Sequence, residues 1–100
     1  MKINKNVQVN VYNLKSPRTG DEVPNQFVVD VMTDKGRRSV FKSYNTIIAV
    51  IDEIGCVTLD KNSWDCSATT GKYRNQFLGE NIAETRKKIK QGIYTLANLN

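Results

Sequence analysis

The sequence predicts an α+β domain in which an antiparallel sheet of about five strands, spread over residues 3–60, is followed by two short C-terminal helices packed on one of its faces. Three observations point there. Apolar residues up to about residue 60 recur mostly with a period of two, the pattern of half-buried strands, and turn-forming residues interrupt them at short intervals. Beyond Trp64 the spacing changes to that of an amphipathic helix, and capping residues appear twice. Strands grouped before helices favour segregation of the two kinds of element over a parallel alternation.

Val7, Val9 and Val11 alternate with Gln8 and Asn10, which predicts a first strand over about residues 3–14. Lys15 to Asn25 holds Pro17, Gly20, Pro24 and several charges, and reads as an exposed loop. Phe27 to Met32 reads as a second strand, and Asp34-Lys35-Gly36 as a tight turn into a third that contains Val40 and Phe41. Ile47 to Ile51 is a continuous apolar run between Asn45 and Asp52 that fits a buried strand or a short helix, and its β-branched content favours the strand. Glu53-Ile54-Gly55 then turns the chain into a returning strand from Cys56 to Asp60.

Thr69 or Thr70 is placed to cap a helix over residues 71–78, with Tyr73, Phe77 and Leu78 on one face and Gly79 ending it. Asn81 caps the next helix, Glu84 completes a capping box, and Gly92 closes it. Ile82, Thr85 and Ile89 mark its core side. Ile93, Tyr94, Leu96 and Leu99 offer a final strand or a tail laid on the sheet.

One hundred residues, 39% hydrophobic and 25% charged, make one soluble domain spanning residues 1–100. The absence of a signal-peptide pattern and of any run of 18 apolar residues predicts an unanchored cytoplasmic protein with no membrane partner. Cys56 and Cys66 are expected as small core residues with reduced thiols. With no histidine the two thiols complete no metal set, and neither metal nor cofactor is expected.

Catalysis is not expected. Without histidine there is no Ser-His or Cys-His nucleophile pair, and Asp52, Glu53, Asp60 and Asp65 fall at strand ends and turns where acids are commonly solvated. Thr69-Thr70-Gly71-Lys72 lacks the earlier glycine and the following hydroxyl of a phosphate loop, and Ser39-Val40-Phe41-Lys42 has none of the companions of an acyl-transfer motif.

Binding is the better expectation. The net charge is +5, and the cations gather in two clusters, Arg37, Arg38 and Lys42, and Arg86, Lys87, Lys88 and Lys90. A basic balance draws acidic partners at long range. Cations in the last turns of a helix also complement its negative end, so stability alone accounts for the second cluster equally well. Trp64 reads as a core anchor, and Tyr44 and Tyr73 as the aromatics available at the surface. The candidate partner- or nucleic-acid-binding residues are therefore Arg37, Arg38, Lys42, Tyr44, Lys72, Tyr73, Arg74, Arg86, Lys87 and Lys90. The sequence leaves the oligomeric state open.

Ser43-Tyr44-Asn45-Thr46-Ile47-Ile48-Ala49, Trp64-Asp65, Ser67, Thr69-Thr70, the run Lys72-Tyr73-Arg74-Asn75-Gln76-Phe77-Leu78-Gly79-Glu80, Glu84-Thr85-Arg86-Lys87-Lys88-Ile89 and Gly92-Ile93-Tyr94 form a signature over about residues 41–96. It resembles a family of small uncharacterised proteins of tailed phages and prophages of bacteria. The resemblance implies no settled activity, but small phage proteins without virion features often bind and block a host machine. The expectation is a non-enzymatic phage accessory protein that inhibits a host defence complex of anti-CRISPR or anti-restriction type in the host cell cytoplasm. Its partner would be a host protein or nucleoprotein complex, met through a basic surface rather than by acidic mimicry of DNA. A DNA- or RNA-binding accessory protein of phage replication or transcription is the alternative, and a minor structural or assembly protein a third. Residues 1–40 lie outside the resemblance and are expected to serve this member's own target.

Overall fold

A computed structural model describes residues 7–100, in the order β1 (Gln8–Lys15), β2 (Glu22–Thr33), β3 (Gly36–Ser43), β4 (Thr46–Ile51), β5 (Val57–Asp60), α1 (Ala68–Leu78), α2 (Ile82–Lys90) and β6 (Thr95–Ala97). All but one of these elements were legible as strands or helices, and the α+β class is as expected. Residues 3–6 of the expected first strand lie outside the described residues.

The strands form one sheet in sequence order, antiparallel from β1 to β5, with β6 added parallel to β5. The parallel pair departs from an all-antiparallel sheet for a topological reason. Two consecutive helices carry the chain across one face and back to the end where β5 began, so the returning segment runs in the direction of β5. The open choice for residues 93–99 thus resolves as a three-residue strand followed by a tail.

β-strand alternation divides the sheet into two unlike faces. In one cross-strand row Val28 stands opposite Phe41, Phe41 opposite Ala49 and Ala49 opposite Leu59, and all four are fully buried. Tyr73 of α1 closes over Leu14, Val28, Phe41 and Ile48, while the Phe77 ring stacks on Phe41 at 5.7 Å. Trp64, Leu78 and Ile89 cover the neighbouring cluster of Ala49, Val57, Leu59 and Tyr94. Both helices therefore lie on one face, as expected. The opposite face carries the row Val11, Val29, Val40, Val50 and Thr58, and no helix among the described residues covers it.

β2 begins earlier than expected and takes in Pro24 and Asn25, leaving a shorter loop at residues 16–21. The pairing with β1 explains how a proline is accommodated. Asn13 opposes Phe27 but Lys15 opposes Glu22, so β2 bulges between them and Pro24 is not asked to donate to the ladder. Gly36 opens β3 with φ of 124°, and a Cβ there would stand 3.1 Å from the Glu53 carbonyl oxygen, so the turn admits only glycine without a backbone shift.

The caps follow sequence logic with one change. Ser67, not Thr69 or Thr70, caps α1, because Thr70 Oγ1 faces inward, 3.3 Å from the Ser43 hydroxyl that also accepts from Gln26. Asn81 and Glu84 form the predicted capping box of α2, and Gly79 ends α1 in the left-handed region. Cys56 and Cys66 are exposed rather than buried. Both sit in turns, Cys56 where the Asp52 carboxylate accepts from the Ile54 and Cys56 amides and Cys66 just ahead of the α1 cap.

A basic surface on the two helices

Arg74 was expected at a partner surface, but its side chain is only 1% exposed. The guanidinium donates to the Trp64 carbonyl at 2.7 Å, to Asp65 Oδ1 at 3.2 Å and to Asn75 Oδ1 at 3.0 Å, and lies over the Trp64 ring. Three acceptors and a ring face turn a long cation into an internal brace. It fastens the turn of residues 61–66 to α1. Tyr73 is likewise a core residue, at 5% exposure, because helical spacing sets it with Phe77 on the face that meets the sheet.

A second polar cluster fastens α2. The Glu80 carboxylate, 4% exposed, accepts from Lys88 Nζ at 2.7 Å, from the Tyr94 hydroxyl at 2.7 Å and from the Thr85 hydroxyl at 2.6 Å. Burial alone would raise its pKa, and the three donors outweigh that, holding it below the ordinary value. Burial and the facing carboxylate together push the Tyr94 hydroxyl up. Lys88 is thereby withdrawn from the basic cluster predicted on this helix, although its pKa is raised by the Glu80 hydrogen bond.

Asp60 also proves to be buried rather than solvated. Its carboxylate accepts from the Leu99 amide at 2.9 Å, and this bond, followed by those from Ser63, Asn100 and Asn62, outweighs burial and holds the acid below its usual range. The C-terminal tail is tied to the sheet by this group, and Asn100 extends the tie by accepting from the Ile47 amide and donating to its carbonyl. Nothing in the local sequence marked Asp60. Glu80 had a signal, since it stands between a helix-ending glycine and a helix-capping asparagine, with Thr85 and Lys88 one and two turns on.

What stays exposed is a set of cations around an open groove of about 620 Å³ between the start of α1 and the start of α2. Ala68, Gly71, Lys72 and Asn75 of α1 and Ile82 and Arg86 of α2 line it. Asp65 lies at one end, where its two oxygens meet Arg74 and Arg86 at 3.2 and 3.3 Å. Arg86 keeps 65% of its side chain in solvent despite that contact. Lys72, Lys87 and Lys90 are exposed and make no ion pair among the described residues. Arg86 and Lys90 are one turn apart, so the groove continues into a basic stripe along α2.

The other predicted residues do not join this surface. Alternation along β3 turns Arg37 to the helix-bearing face, where its Nε donates to Met32 Sδ, and turns Arg38 and Lys42 to the bare face. Arg38 is paired with Glu53 at 2.9 Å, and Lys42 lies over the Phe27 ring. Tyr44 heads the β3–β4 turn with 61% exposure and φ of 55°, a strained setting for a tyrosine. The Ser43–Thr70 contact brings that turn to the end of the molecule where α1 starts.

Residues 3–93 match the model of a family described as Family of unknown function (DUF8033). The chain belongs to this family. No curated protein and no solved structure matches it. The DUF8033 match begins at residue 3 and so takes in β1 and β2 together with the helices. The sheet is one unit, and its first two strands supply Leu14 and Val28 to the core beneath α1.

Proposed function

We propose that this DUF8033 protein is a non-enzymatic accessory protein of a phage that binds and inhibits a host defence complex of anti-CRISPR or anti-restriction type. In this reading it works in the host cytoplasm through the helical surface bearing Lys72, Arg86, Lys87 and Lys90. The observation that carries the choice of surface is the contrast between cations. Arg74 and Lys88 are used up in holding the helices, whereas these four are exposed on two capped, braced helices beside a groove. Such a surface meets an acidic protein face, or the phosphates of a guide or target strand, without reorganising.

The test is capture from host lysate with the tagged wild-type protein and with a variant in which Lys72, Arg86, Lys87 and Lys90 are all changed to Gln. The wild type should retain a defence complex and protect phage infection, and the folded variant should do neither. Equal capture and protection by the variant would refute the assignment of this surface.

A second reading, a DNA- or RNA-binding accessory protein, is favoured by the exposed aromatic Tyr44 and the Phe27–Lys42 pair, since cations interleaved with aromatics suit single-stranded bases. It predicts that a labelled oligonucleotide shifts at low salt and is released steeply as salt rises.

A further inference from the structure

β1 is the edge of the sheet, paired with β2 along one flank and with nothing along the other among the described residues. An edge strand presents a row of unused amide and carbonyl groups, and proteins that remain monomeric usually blunt such edges with lysines, prolines, bulges or brevity. The opposite edge is blunted by brevity, since β6 has three residues. β1 has eight, and from Gln8 to Leu14 it contains no charge, no proline and no glycine. In a chain of net charge +5 this is a neutral segment placed where charge would normally protect.

The bare face of the sheet adds a second, independent observation. Val9 and Val11 point to it and are 58% and 61% exposed, whereas their cross-strand neighbours Val31 and Val29 are half-buried. The valine rows do not taper into polar residues at the edge. They stop there because no strand follows.

We propose that β1 pairs with β1 of a second copy of this chain, antiparallel, about a two-fold axis perpendicular to the sheet at Asn10. In this register Val9 faces Val11 of the second copy, Val11 faces its Val9, and Gln8 faces its Tyr12. Each pair lies on one face, as antiparallel pairing requires. On the bare face the existing pairs Val9–Val31 and Val11–Val29 join across the axis into two four-valine rows. On the helix-bearing face Asn10 meets its own copy and the half-exposed Tyr12 ring covers a glutamine stem. From Gln8 to Tyr12, the segment paired in this register, no like charges meet, because it has none. The result is a continuous sheet of twelve strands with the helices of both copies on the same side, so the two basic surfaces point the same way. A second copy fits better than a nucleic acid, because from Gln8 to Leu14 the strand holds no cation to meet phosphate, and the valines of the bare face meet their own kind across the axis.

The register makes a residue-specific test possible. In a background with Cys56→Ser and Cys66→Ser, Asn10→Cys places two thiols opposite each other at the axis, within the Cα separation that a disulfide spans. Gln8→Cys places each thiol opposite Tyr12 and serves as the control. Mild oxidation should yield a covalent dimer from Asn10→Cys and little from Gln8→Cys. Light scattering coupled to size exclusion should give twice 11.3 kDa for the wild type, and 11.3 kDa for the Val9→Lys, Val11→Lys double variant, with an unchanged circular dichroism spectrum. The substituted positions are largely exposed, so the variant is expected to fold. A wild type that stays at the monomer mass across a concentration series overturns the proposal, whether or not β1 captures a strand from another protein. So does a dimer that survives the two lysines, and so does equal cross-linking from both cysteine positions.

Discussion

Replacing Arg74 by Met removes the guanidinium while keeping most of the stem that lies against Trp64, and its consequence follows from the contacts described above. Three hydrogen bonds are lost, of which the one to Asp65 joins two charges and those to the Trp64 carbonyl and Asn75 use a charged donor. Bonds to charged groups contribute about 1.5–3 kcal/mol each, and non-additivity within one side chain brings the sum down. Asp65 is not stranded by the change, since it is about one-third exposed and keeps Arg86. The Trp64 carbonyl loses its guanidinium partner. The expected loss is about 3–4 kcal/mol, a large share of the roughly 5–15 kcal/mol by which small domains are stable. At about 4–8 °C per kcal/mol for a domain of this size, the melting midpoint should fall by about 12–30 °C. Thermal unfolding followed by circular dichroism measures it, with guanidinium chloride titration as a check that the transition stays two-state. If Arg74→Met melts with the wild type and instead abolishes partner capture, the arginine is a ligand contact and the brace assigned to it is wrong.

Changing Lys72, Arg86, Lys87 and Lys90 to Gln should cost only a few tenths of a kcal/mol to about 1 kcal/mol per residue, through lost dipole and surface interactions, so its melting midpoint should stay far closer to the wild type than that of Arg74→Met. Glu80→Gln should cost about 2–3 kcal/mol, because an amide cannot accept from Lys88, Thr85 and Tyr94 together; a change under 0.5 kcal/mol in denaturant titration would contradict that network. Asp60 and Glu80 both have folded pKa values below their ordinary 3.8 and 4.5, so the unfolded chain binds protons first on acidification. Stability from both is therefore fully present above about pH 5 and declines as pH falls through the lowered values, and the decline should be shallower in Glu80→Gln. Gly36→Ala should destabilise by about 1–3 kcal/mol, from a left-handed backbone and a clash with the Glu53 carbonyl, which a two-residue-turn hairpin probed by hydrogen exchange would report as faster exchange in β2 and β3.

The fold was legible wherever local chemistry decides it. Period-two valines, a glycine at a two-residue turn and two asparagine- or glycine-marked helix ends each act within a few residues, and the strands and both helices followed from them. Placement failed where the outcome depends on what a side chain meets across the fold. Tyr73 and Arg74 look like a surface pair in an aromatic and basic run, yet one faces the Val28–Phe41 row and the other meets a backbone carbonyl ten residues earlier in the chain. Asp60 looks like a strand-end acid, and becomes a buried acceptor only because the tail returns from residue 99. The cysteines were misplaced because their usual burial is a statistical habit, and both fell in turns that an aspartate and a helix cap had already claimed.

The same contrast between local and cross-fold chemistry runs through the segment from Trp64 to Tyr94. Trp64, Asp65, Arg74 and Asn75 make one network, and Glu80, Thr85, Lys88 and Tyr94 make the other. These paired polar groups fix the two-helix crossover together with the apolar contacts of Trp64, Tyr73, Phe77, Leu78 and Ile89. On the function proposed above, target choice would reside in side chains held outward, Lys72, Arg86, Lys87 and Lys90 on the helices and Tyr44 at the β3–β4 turn, of which Arg86 also pairs with Asp65. Because the two networks share only the exposed Arg86–Asp65 pair with these five residues, substitutions among the five are expected to alter the outward surface at little cost to the fold, the property that the proposed function requires of a surface whose partner can change while the domain stays the same.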